Sequence, residues 1–160
     1  MINIEELDHE YFMKEAIKEA AIAGERGDLP VGAVIVHNGK IISRGNNKIN
    51  TNKNNTLHAE MTAINNSAAF LQRNARECVI YTSLEPCIMC LSTIVMTNIR
   101  HIVFAVEDKY MNMKPFIHSN EYIDKRIHSY IEGILEKESF AVIQKYDERM
   151  ARMVRTGNLQ

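Results

Sequence analysis

No stretch of this 160-residue chain approaches the roughly 18 consecutive apolar residues of a membrane span. Its first ten residues, MINIEELDHE, are acidic and lack the basic and apolar regions of a signal peptide. Both absences predict a cytoplasmic protein without a membrane partner, in a compartment where structural disulfides are rare. Cysteine is scarce at three residues, which in such a compartment suggests metal or catalysis before a framework of bridges. Neither charge sign is in excess. Lys and Arg number 19 against 20 Asp and Glu, a formal net charge of -1, so nothing pulls the whole molecule onto nucleic acid. A local basic patch stays open. Repeats and linkers are missing too. With 46% hydrophobic and 24% charged residues, the chain is expected to form one globular domain, residues 1–160, with a true core.

The elements read as follows. Asp8 caps a helix to about Glu25, with Met13, Ile17, Ala20, Ala21 and Gly24 on one face. VGAVIV and KIISRG flank HNGK, and Asn38-Gly39 between two apolar runs predicts a tight hairpin. The Asn-rich NNKINTNKNNT reads as a solvated loop. A helix is expected from about Leu57 to Leu71, then a buried strand in ECVIYTS, a helix in CIMCLSTIVM and a strand in RHIVFAV. A loop with Met111, Met113 and Phe116 follows, then a short strand near 127–131 and one long helix from about Leu135. Strands alternating with helices after an opening hairpin predict an α/β fold, a mixed five-stranded sheet with helices on both faces in three α/β/α layers.

Two short segments carry chemistry. TLHAE, 56–60, and SLEPCIMC, 83–90, each open a helix. Helix N-termini offer free N–H groups and partial positive charge, which favour the thiolate that binds metal. Cys87 and Cys90, spaced C-x-x-C, can chelate one ion from a single turn, and the His58 imidazole supplies a third ligand. Zinc suits this sulfur and nitrogen set, and three protein ligands leave a corner open for water. Glu60, two residues beyond His58, can lie beside that water and move its proton. Plainer readings compete. A lone C-x-x-C is also a redox motif, but that role leaves His58 and Glu60 unexplained. A structural zinc needs a fourth ligand. Cys78 reads as a small buried hydrophobe, and His101, His118 and His128 as packing or surface residues.

H-x-E followed by P-C-x-x-C resembles the signature of the zinc-dependent cytosine/adenosine deaminase superfamily, with its cytidine deaminase-like fold. The likeness spans nearly the whole chain: PVGAVIV at 30–36, GNN at 45–47, TLHAE and YTSLEPCIMC. It implies a bound Zn2+ on His58, Cys87 and Cys90, with Glu60 as the catalytic proton shuttle. It also implies that Asn47, eleven residues before His58, holds the substrate ring, and that the backbone of Leu84, Glu85 and Pro86 lines the pocket. By itself Asn47 would be a turn residue. Leu91, Ile94, Val95 and Met96 read as core. The resemblance implies that subunits pair through their helix, so a homodimer is expected.

For the substrate, three branches compete. Lys145, Arg149, Arg152 and Arg155 at helical spacing, and EGILEKES at 132–139, are similar to tRNA-specific adenosine deaminase acting on a flipped-out wobble base. Against it, EDKYMNMKPF at 107–116 lacks that branch's glycines, and the net charge is slightly negative. Met111, Met113 and Phe116 could wall off the pocket, although core packing is their simpler role. The expected substrate is therefore a small free nucleobase of guanine or cytosine type. A tRNA partner is the alternative. A non-catalytic deaminase-like subunit ranks last, because Glu60 is present.

Overall fold

The computed structural model describes residues 1–160. In chain order the elements are α1 (His9–Arg26), β1 (Gly32–His37), β2 (Lys40–Asn46), α2 (Ile49–Asn52), α3 (Ala59–Asn66), α4 (Ala68–Asn74), β3 (Cys78–Leu84) and α5 (Ile88–Met96). Then come β4 (His101–Val106), α6 (Met113–Ser119), α7 (Glu121–Asp124), β5 (Ser129–Ile131), α8 (Glu136–Tyr146) and α9 (Glu148–Thr156). The sheet order is β2-β1-β3-β4-β5. β1 is antiparallel to β2 and β3, whereas β3, β4 and β5 run parallel. α1 and α8 cover one face, and α3 and α5 the other, giving the three layers expected. No helix is long and apolar enough to cross a membrane.

Local chemistry explains the boundaries. The Asp8 carboxylate accepts the Tyr11 N–H at 2.9 Å and starts α1, while Gly27 at φ 95° ends it. Asn38 and Gly39 take φ 48° and 71°, the pair of positive values that a two-residue hairpin turn needs. β3, central in the sheet, is buried along its whole length. Its first residue, Cys78, is a fully buried thiol bonded to the Asn74 carbonyl, as its packing role predicts.

Four expectations need correction, the first being the Asn-rich loop, which holds the short helix α2. The segment with Met113 and Phe116 is helical as α6. Pro115 is its third residue, where the missing N–H had no partner to lose. The helix expected over 57–71 breaks at Ser67, whose hydroxyl donates to the Ala63 carbonyl at 2.9 Å. The long last helix is two. Asp147, at φ -149°, leaves the helical region, and its carboxylate caps α9 through the Met150 N–H at 2.9 Å.

Gly45 sets how closely α3 lies on the sheet. A Cβ there would fall 2.1 Å from the Ala59 carbonyl oxygen and 2.5 Å from the Ala63 nitrogen. Both contacts are α3 backbone, which cannot swing aside. Gly45→Ala is therefore expected to cost about 3 kcal/mol and to loosen zinc, because α3 carries His58 at its start. Thermal melting together with zinc stoichiometry checks this; an unchanged melting transition would contradict it.

Candidate metal centre and substrate cavity

His58 and Cys87 are the N-caps of α3 and α5, both extended at ψ 160° and 175°. α3 packs against α5 on one face of the sheet, so the two caps meet at the C-terminal end of β3. His58 Nδ1 lies 3.5 Å from Cys87 Sγ and 3.4 Å from Cys90 Sγ. All three donor atoms fall within 4.8 Å of one another, and among the chain's His, Cys, Asp and Glu only this trio converges so. Tetrahedral zinc, with Zn–S about 2.3 Å and Zn–N about 2.0–2.1 Å, requires an N···S edge of about 3.6 Å. The residues present fit the ion. The remaining cysteine, Cys78, and His101, His118 and His128 stay outside the cluster.

The electrostatics favour the ligand form. The Cys90 S–H and the His58 ring together hold Cys87 well below an ordinary thiol, down to about 4, against the desolvation that opposes them. Its partner Cys90 is pushed up, first by sharing its proton with Cys87 and then by burial. A cation sharing both sulfurs drives off that proton. The hydrogen bond to Cys87 raises His58, and a backbone bond at Asn55 adds to it. Glu60 sits in the first turn of α3 with 3% of its surface exposed. Burial pushes its carboxyl up to about 7.

A cavity of about 140 Å³ opens beside the cluster. His58, Glu60, Cys87, Asn47, Leu84 and Glu85 line it. Pro86 is buried but does not reach it. Asn47 is 2% exposed, and its side-chain oxygen accepts the Ile49 N–H at 3.1 Å, which leaves the NH2 group for the cavity. Turn residue and cavity residue are thus one. Glu85 is a brace. Its two oxygens accept the Asp108 N–H at 3.1 Å and the Tyr130 hydroxyl at 2.6 Å, tying the end of β3 to the segment after β4 and to β5.

Five cavity residues escaped sequence reasoning: Leu29, Val31, Asp108, Met150 and Met153. Asp108 is buried and holds the Tyr110 and Met111 N–H groups, both at 3.0 Å. Met150 and Met153 come from α9, which no spacing rule links to residue 58. Met111 lines the cavity as considered, but Met113 lies in the core and the half-buried Phe116 packs against it. The break at Asp147 also divides the single basic face expected on the last helix. Lys145 stays on α8 beside the Tyr146 ring, and Arg155 turns onto Phe140, 3.7 Å from its ring centre. Arg149 and Arg152 remain exposed on α9.

Residues 6–106 match the family model of the cytidine and deoxycytidylate deaminase zinc-binding region, and the chain belongs to that family of zinc-dependent hydrolytic deaminases. Among individual proteins it is similar to a tRNA-specific adenosine deaminase of Buchnera aphidicola, 37% identical over 149 residues, 89% of this chain and 90% of the relative. A solved tRNA:A34 deaminase, studied for A-to-I editing at the wobble position of transfer RNA, is 30% identical with a TM-score of 0.69. That match covers 82% of this chain and 98% of the other. Guanine deaminase from Bacillus subtilis is 38% identical with a TM-score of 0.58, over 64% of this chain and 66% of that one.

Proposed function

We propose that this chain, as one catalytic domain, deaminates adenosine to inosine at the wobble position of tRNA. The observation that carries the reading is the extent of the likeness to tRNA-specific adenosine deaminase: 149 aligned residues run far beyond the zinc-binding region at 6–106. Two structural facts support it. Met113 lies in the core and Phe116 packs against it, so of the three bulky residues that argued for a pocket closed to all but a free base, only Met111 is at the cavity. Exposed Arg149 and Arg152 stand on α9 beside Met150, which lines the cavity, where a phosphate backbone would pass. Free-base deamination draws support from the likeness to Bacillus subtilis guanine deaminase, which covers 64% of the chain.

Zinc, when bound by His58, Cys87 and Cys90, supplies a Lewis acid that lowers the pKa of water. Glu60 takes the proton of the attacking water, delivers it to the ring nitrogen, and carries a second proton to the departing ammonia. Its burial keeps bulk solvent from short-circuiting that transfer. The Asn47 NH2 group donates to the ring and fixes which carbon faces the metal. Met111, Met150 and Met153 offer thioether and methyl contacts to the flat base. Two copies pair through α5, where Ile88 and Met96 are exposed. Reduced, unbridged cysteines suit a cytoplasmic setting.

A direct comparison of substrates tests the reading. Zinc-loaded protein is expected to convert a tRNA with adenosine at the wobble position, and to release little ammonia from free guanine, cytosine or adenine. Rapid deamination of guanine or cytosine with the tRNA untouched would overturn it in favour of the free-base reading. Removal of residues 146–160 does not separate the two, because it strips Met150 and Met153 from the cavity in either case.

A further inference from the structure

The cavity wall that carries Asn47 is held by a buried ionic network that proton transfer at Glu60 does not explain. Asp28, its side chain 0% exposed, lies in the loop between α1 and β1. Its oxygens accept the Thr51 N–H at 2.8 Å, the Thr51 hydroxyl at 2.7 Å and the Arg26 Nε–H at 2.7 Å. Arg26, the last residue of α1, also donates to the Asn46 side-chain oxygen at 2.7 Å and to the Asn47 carbonyl at 2.6 Å. Asn47 is thereby anchored at its carbonyl by Arg26, while Asp28 pins Thr51 in α2, the same short helix whose Ile49 N–H holds the Asn47 side chain.

A buried carboxylate is costly unless it is paired and hydrogen-bonded. Burial pushes the Asp28 carboxyl up, yet the bonds from Thr51 and Arg26 outweigh it and hold the group down to about 2. The pair is not needed to end α1, because Gly27 already does so in the left-handed conformation. What the network does accomplish is rigidity at one place, the turn that aims a cavity amide. Binding groups need holding to within about 0.5 Å of the productive position.

We infer that Arg26 and Asp28 are positioning residues that act through Asn47, fixing the angle at which its amide meets the substrate ring. This rests on the reading of Asn47 as a substrate contact. Neither residue reaches the metal cluster, so both act on substrate placement and leave zinc untouched.

The test is a double-mutant cycle on the zinc-loaded full chain, read as kcat/KM on whichever substrate the comparison above selects. Arg26→Ala, at a side chain about a third exposed, and Asp28→Asn are each expected to lower kcat/KM between about ten- and a hundredfold. Zinc content should stay at the wild-type level. Arg26→Lys should recover part of the loss, since an ammonium reaches the carboxylate but cannot span all three acceptors. In an Asn47→Ala background, Arg26→Ala should cost less than about twofold more, the signature of residues acting as one unit. Equal losses in both backgrounds would overturn the inference, as would loss of zinc or of the folding transition in Arg26→Ala. An impaired Asn47→Ala beside an unimpaired Arg26→Ala would sink the inference alone. An unimpaired Asn47→Ala would sink the reading of Asn47 beneath it.

Discussion

Exchange of Glu60 for glutamine is expected to leave zinc bound and the fold intact while deamination falls by about a hundred- to ten-thousandfold. Glutamine matches glutamate in size and fills the same buried place in the first turn of α3. It cannot accept a proton from water, so only the contributions of metal and binding survive. The wild-type rate should fall on its acid side, because the ionised carboxylate is the working form. Burial pushes Glu60 up to about 7 and a bound cation pulls it back, so the acid limb of kcat should lie below 7. Side-by-side ammonia release, with metal analysis of both proteins, measures this. A Glu60→Gln enzyme within a few fold of wild type would remove Glu60 from the proton path.

Replacement of Cys87 or Cys90 by alanine is expected to reduce bound zinc from about one ion per chain to nearly none. Loss of either sulfur leaves one thiolate and one imidazole, and two donors from different helices hold zinc poorly. Cys78→Ala supplies the contrast. That thiol is as deeply buried as Cys90 but stands outside the cluster, so zinc should remain and only packing should suffer. Elemental analysis of the three purified proteins decides. Full zinc occupancy in Cys90→Ala would show that the ligand set is something else.

The four residues at the metal cluster were legible because their chemistry is written in local spacing. C-x-x-C places two sulfurs on one helical turn, and H-x-E places an imidazole and a carboxylate at one helix start. That these turns meet needs only the strand-then-helix order that the alternating pattern already predicts. The hairpin was legible for a similar local reason, Asn-Gly. Less visible was anything that depends on remote segments converging. Met150 and Met153 reach the cavity from α9, and Asp108 from the segment just after β4 that Glu85 holds. Pro115 hid α6, since a proline inside an apolar run reads as a break unless its place in the first turn is known. Asp147 was hidden the other way. Apolar residues recur at helical spacing on both sides of it, so two helices read as one. The pocket wall was legible only in part: Met111 lines the cavity, whereas Met113 lies in the core and Phe116 packs against it, and the side of the backbone on which each falls cannot be counted in the sequence.

His58 and Cys87 stand 29 positions apart along the polypeptide. An ion shared between them therefore works as a reversible staple, as well as a reagent. In the chain-entropy picture, closing a loop of that size removes freedom from the denatured ensemble equivalent to about 3.5 kcal/mol. A large part of the protein's resistance to heat would then reside in a detachable component, and chelation would disarm the enzyme and soften it in one stroke.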